Sequence, residues 1–140
     1  MSNLTAFLLQ NKVKQENIKF VASKSFIDPE TKKPIEWELK AITGEENDAI
    51  KKECTRKIKK GNSYIMETDT EMYVGKLAAA CTVFPDLKNA ELQNSYKVMG
   101  DDQLLKVMLS LGEYTAYTNK VAEINGFDTS MEDIVEEAKN

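Results

Sequence analysis

The chain has 140 residues, 41% of them hydrophobic and 30% charged, with a net charge of −4 and no histidine. That length suits one ordinary domain with a core of its own, needing neither a disulfide nor a metal to fold. The missing imidazole excludes Ser-His-Asp and Cys-His nucleophile pairs, Cys/His zinc sites and a histidine pH switch, and the acidic balance departs from the basic character of nucleic-acid-binding domains.

Asn3 to Leu9 reads as a short helix, with Leu4, Phe7 and Leu8 at i, i+3 and i+4 on one stripe. At that length it is unstable alone in water and has to dock on the domain or on another chain. From Ile18 the period changes to two. Ile18, Phe20, Ala22 and Phe26 share a face, a turn follows at Asp28-Pro29 to Pro34, and Ile35, Trp37, Leu39 and Ala41 alternate with Glu36, Glu38 and Lys40. This predicts an antiparallel hairpin with one wet face, covered by helices or by another subunit.

Thr43-Gly44-Glu45-Glu46 has the spacing of a capping box, so a helix is expected to run on to Lys57 or Lys60, with Ile50, Cys54 and Ile58 inside. Gly61-Asn62-Ser63 breaks it, and Tyr64 to Thr68 fits either a loop or a short strand. A helix capped by Thr68 or Asp69 runs to about Val83 with Tyr73, Leu77, Ala80 and Phe84 on its stripe. Gly75 and Ala78-Ala79-Ala80 leave room on it for a second helix. Pro85 interrupts. Helices are expected at Asn89–Tyr96, Asp102–Leu109 and Gly112–Asn125, the last with Tyr114, Tyr117, Val121 and Ile124 buried and Gly126 as its C-cap. The acidic end from Met131 to Glu137 is a frayed tail or one more amphipathic helix. The expected fold class is therefore α+β, a single domain over 1–140: an arm (1–17), a β-hairpin (18–42), a mostly α-helical bundle (43–127) and an acidic tail or short helix (128–140).

Chemistry finds little apparatus. Gly75-Lys76 lacks the other residues of a phosphate loop. The carboxylate pairs Glu45/Glu46 and Asp101/Asp102 suit the positive ends of helices rather than two sides of a cleft. Cys54 and Cys81 fit core stripes as small hydrophobes. Met1 to Asn11 has neither the cationic start nor the apolar run of a secretion signal, and no stretch of about 18 apolar residues is present, so a cytosolic protein with reduced thiols is expected. The cations Lys51, Lys52, Arg56, Lys57, Lys59 and Lys60 crowd into ten residues. They read as a solvated helix end, as a surface for an acidic protein, or as phosphate contacts of a small nucleic-acid-binding regulator, without an interleaved aromatic platform. Trp37 reads as core, or as an interface anchor.

Several segments, taken in order, carry a family resemblance. They are Val21-Ala22-Ser23-Lys24-Ser25-Phe26, Pro34-Ile35-Glu36-Trp37-Glu38-Leu39-Lys40-Ala41-Ile42-Thr43, Cys54-Thr55-Arg56-Lys57 and Lys76-Leu77-Ala78-Ala79-Ala80-Cys81-Thr82-Val83-Phe84-Pro85. Denser still are Asn89-Ala90-Glu91-Leu92-Gln93-Asn94-Ser95-Tyr96 with Gly100, and Gly112-Glu113-Tyr114 with Val121-Ala122-Glu123-Ile124-Asn125-Gly126-Phe127. From Ile18 to Phe127 the chain resembles the XkdN-like tail assembly chaperones of tailed phages and defective prophages. The resemblance implies a non-enzymatic protein of the host-cell cytoplasm, absent from the finished virion. Such a protein coats the tape measure protein and holds it soluble while tail tube subunits polymerise. It also implies self-association, and no cofactor, metal, nucleic acid or membrane. The residues offered for such contacts are Leu4, Phe7 and Leu8 on the arm, Trp37 on the hairpin, Lys57, Lys59 and Lys60 in the basic run, and Met131, Ile134 and Val135 at the end.

Overall fold

Alternation along Ile35–Ala41 gives one strand two large apolar side chains on the same side, and burying them organises the sheet. β1 (Ile18–Phe20) and β2 (Trp37–Leu39) pair antiparallel, with Ile18 opposite Leu39 and Phe20 opposite Trp37. The computed structural model describes residues 3–127 and 131–139, apart from the side chain of Asp133. The expected hairpin is thus present in shortened form, and its long connection closes separately through a bridge between Ile27 and Pro34.

A third strand, β5 (Thr82–Phe84), lies antiparallel on the other side of β2, so the sheet order is β1-β2-β5. This corrects the expectation that a helix carries Phe84 on its buried stripe. Helix α2 (Thr70–Ala80) stops before Cys81, and Phe84 is half exposed. The physical reason is local: Pro85 pushes Phe84 out of helical backbone, and the β-branched pair Thr82-Val83 suits the sheet edge.

A second correction concerns residues 54–68. α1 (Gly44–Glu53) starts as expected, Thr43 Oγ1 accepting from the Glu46 amide at 3.2 Å and the Glu46 carboxylate accepting from the Thr43 amide at 3.3 Å. It ends seven residues before Lys60. β3 (Thr55–Lys60) and β4 (Ser63–Thr68) then form a residue-for-residue antiparallel hairpin. Its two-residue turn is Gly61-Asn62, with Gly61 at φ +62°, a conformation open to glycine and the one a tight hairpin turn demands.

α2 is the spine. Asp69 caps it by accepting from the Met72 amide at 3.1 Å. The expected close approach is real: α4 (Asp101–Met108) crosses at Gly75, where an added Cβ would come within 3.1 Å of Asp102 Cβ. Beside that contact the Lys76 ammonium lies 3.1 Å from Asp102, 3.2 Å from Asp101 and 3.8 Å from Glu53. Partial burial opposes its charge, but hydrogen bonds to the two aspartates outweigh this and hold Lys76 above the ordinary lysine value.

α5 (Leu111–Ile124) opens with a second capping box, Ser110 with Glu113. The exposed Glu113 carboxylate is held below its usual range by the Ser110 amide and the Ser23 hydroxyl. Tyr117 is the hub between helix and sheet. Its ring meets Trp37 edge-on at 5.3 Å and its hydroxyl lies 2.6 Å from Thr82 Oγ1. α6 (Met131–Lys139) is the short-helix alternative for the acidic end. It lays Met131, Ile134 and Ala138 onto the core against α2 and α5. Residues 128–130 and Asn140 of that segment lie outside the described residues. The arm forms two 3₁₀ turns, Asn3–Phe7 and Leu9–Asn11, instead of an α-helix. Every residue from Asn3 to Lys19 is exposed, so the arm is not packed into the core of the domain.

Two helices end in the same way. After α3 (Ala90–Ser95), Lys97 N donates to Asn94 O and Val98 N to Gln93 O; after α5, Gly126 N donates to Glu123 O and Phe127 N to Ala122 O. The third residue of each stop is left-handed, Lys97 at φ 58° and Gly126 at φ 93°. Gly126→Ala is expected to lower stability by about 1 kcal/mol although open space surrounds it, and Lys97→Gly to raise it by up to about 1 kcal/mol. Urea unfolding midpoints that move in opposite directions check both.

Burial also raises the phenols of Tyr73, Tyr114 and Tyr117 and the thiols of Cys54 and Cys81. The folded chain keeps protons there that the unfolded chain releases, so stability falls as pH rises past the ordinary values, about 9 for thiols and about 10 for phenols. Lys76 acts in the same direction, its contribution being lost above the ordinary lysine range. Alkaline titration should show one tyrosinate step that coincides with loss of helical circular dichroism.

Candidate interaction surfaces

The carboxylates that converge, Glu53, Asp101 and Asp102, converge on Lys76 and are spent on holding α2 to α4. Both cysteines are free, buried and raised in pKa by that burial, which keeps them protonated and poor as nucleophiles. Between α1, α2 and α6 lies a cleft of about 390 Å³. Tyr73, Leu77, Ile134 and Phe127 supply its apolar walls, and Asp48, Glu137 and Lys51 stand on it as charged groups. The Tyr73 hydroxyl donates to Asn47 Oδ1 at its edge. This is a place to seat a side chain rather than a reaction centre.

The basic run is divided by the fold. Lys51 and Lys52 end α1, whereas Arg56, Lys57, Lys59 and Lys60 belong to β3. Cross-strand register sorts the strand's cations: Lys57 opposite Met66 and Lys59 opposite Tyr64 share one face, while Arg56 opposite Glu67 and Lys60 opposite Ser63 share the other. Arg56 pairs with Asp69 at 3.1 Å. Lys57 Nζ stands 4.5 Å over the Tyr64 ring, so an aromatic does accompany the cations, which the linear sequence does not show. Tyr64 and Met66 are more than half exposed and Ile65 more than a third. The signal for this surface is present at Gly61-Asn62, a two-residue hairpin turn flanked by Lys-Lys and Ser-Tyr-Ile.

The arm supplies a second surface. Leu4, Phe7 and Leu8 are exposed there, and so are Leu9 and Val13, which the helical stripe does not include. A broad hollow of about 900 Å³ opens between the arm and the sheet end, reaching Val13, Ile18, Leu39, Ile42 and Ile124. The other expected contact residues lie elsewhere. Trp37 is 1% exposed between Phe26 and Tyr117, and Met131 and Ile134 are each 5% exposed. Trp37 and Met131 therefore serve the chain's own core and offer a partner no surface in this fold, while Ile134 shows only an edge, in the wall of the α1–α2–α6 cleft. Val135 is half-buried beside them. Among the described residues no helix is long and apolar enough to cross a membrane.

The fold and sequence have known counterparts. The chain is 36% identical over 140 residues to the phage-like element PBSX protein XkdN of Bacillus subtilis (strain 168), covering 99% of this chain and 94% of that one. It is equally identical to the protein YqbN of the same organism, over 99% and 93% of the two chains. The crystal structure of the protein YqbN superposes with a TM-score of 0.77 at 32% identity, covering 91% of this chain and 99% of that one. The model of the phage XkdN-like tail assembly chaperone protein family matches residues 4–139. Arm, hairpin and core alike thus fall inside the match, and the chain belongs to the phage XkdN-like tail assembly chaperone family.

Proposed function

We propose that this chaperone binds the tape measure protein in the host cytoplasm, covers its apolar helical stripes while tail tube subunits polymerise, and leaves before the virion is finished. It does so without catalysis. The observation that carries this reading is the arm: Leu4, Phe7, Leu9 and Val13 are each at least two-thirds exposed within ten residues. Such apolar surface is costly to leave in water and matches a partner that carries stripes of its own. A segment this exposed also adapts to many sites along one long client, at the expense of affinity per unit of buried area.

Co-expression with a fragment of the tape measure protein encoded by the same phage or prophage tests it. The fragment is expected to become soluble and to co-purify, and the Phe7→Ser/Leu9→Ser variant is expected to recover about tenfold less of it with an unchanged melting temperature. A fragment that is equally soluble alone and never co-purifies overturns the reading. The pairing of Lys57 with Tyr64 favours a rival, contact with nucleic acid. A steep salt dependence of DNA affinity, flattened by Lys59→Ala/Lys60→Ala, would decide for it.

A further inference from the structure

The β3–β4 hairpin is a knob without a hole. It is a two-stranded ribbon, an arrangement of marginal stability by itself, and of the body's helices α6 lies beside β4. Beyond its root pair Thr55 and Thr68, Ile58 is its one half-buried residue. It is also oppositely charged to the rest of the chain. Residues 55–68 hold four cations against Glu67, a net charge of +3, which leaves −7 on the other 126 residues of a chain whose total is −4. The same molecule has a hole without a knob. The α1–α2–α6 cleft has Tyr73, Leu77, Ile134 and Phe127 among a mixed polar and apolar lining, and two carboxylates, Asp48 and Glu137, stand on it against one cation, Lys51. The hairpin does not fill this cleft in its own chain, since Tyr64 and Met66 remain exposed.

We infer that copies of this chain associate head to tail. The hairpin of one copy seats Tyr64 and Met66 in the cleft of the next, and Lys57 and Lys59, on the same hairpin face, meet Asp48 and Glu137. The occupant is a second copy because the complementary charge and the apolar seat are both on this chain. Such a contact is heterologous. Each added copy exposes a fresh knob at one end and a fresh hole at the other, so assembly proceeds to a ring or an open row. Its charged part weakens as salt screens it.

Sedimentation of the full chain, without any client, tests the inference and leaves the tape measure reading untouched by failure. The mass is expected to grow with concentration at low salt and to fall toward the monomer at high salt. Lys57→Glu/Lys59→Glu and Asp48→Lys/Glu137→Lys, all at exposed positions, should each weaken association about tenfold or more. An equimolar mixture of the two variants restores both charge pairings and should assemble again, which a misfolded variant cannot do. A monomer at every concentration overturns the inference. So does association that neither variant weakens, a mixture that fails to assemble, or association abolished only by replacing Phe7 and Leu9.

Discussion

The closeness of α2 to α4 is the constraint on which the other contacts rest. With no side chain at Gly75, α4 comes near enough that Asp102 occupies the space a Cβ would need. That approach brings Asp101 and Asp102 to the ammonium of Lys76, and α1 adds Glu53. Taking such charges out of water is expensive, and their mutual attraction repays it only when the geometry is good. The cluster is therefore better understood as fixing how the two helices register than as a large source of stability. Around the spine so placed, α6 and α5 cover one side, and β5 continues from its end into the sheet.

A second junction joins sheet to helices. Tyr117 stacks edge-on against Trp37 and shares a hydrogen bond with Thr82, whose hydroxyl also reaches the Ala78 carbonyl at 2.8 Å. One phenol thus touches β2 and β5, and the Thr82 hydroxyl links it onward to the last turn of α2. Asn125 does similar work at the far end of α5, accepting from the Ile42 amide at 3.1 Å and donating to the Val121 carbonyl. Among the described residues every buried side-chain polar atom has a hydrogen-bond partner except the hydroxyl of Tyr114.

Features governed by neighbours in sequence were legible. The capping box at Thr43, the cap at Asp69, the glycine stop at Gly126 and the small-residue side of α2 all follow from residues within one or two turns. What depended on distant partners was not. β5 is three residues long and is a strand because β2 lies beside it. Lys76 and Asp101 are 25 residues apart, and their cluster leaves no local trace. For β3, the lysines and the preceding capped helix outweighed the turn signal at Gly61-Asn62. The contact surface was read in the same partial way. Periodicity marks Met131 and Ile134 as apolar-facing, but it does not say whether their cover is the chain's own core or a partner.

The hairpin's roots have a consequence for how such proteins diverge. The Asp69 amide donates to the Cys54 carbonyl at 2.8 Å, a clasp that joins the chain's exit from the body to its re-entry. Fourteen residues hang from that clasp while Cys54 and Tyr73, on either side of it, stay sealed inside. Evolution can therefore lengthen, shorten or recharge the appendage without renegotiating the interior. The same property makes it a natural point for grafting a foreign peptide or a fluorescent label.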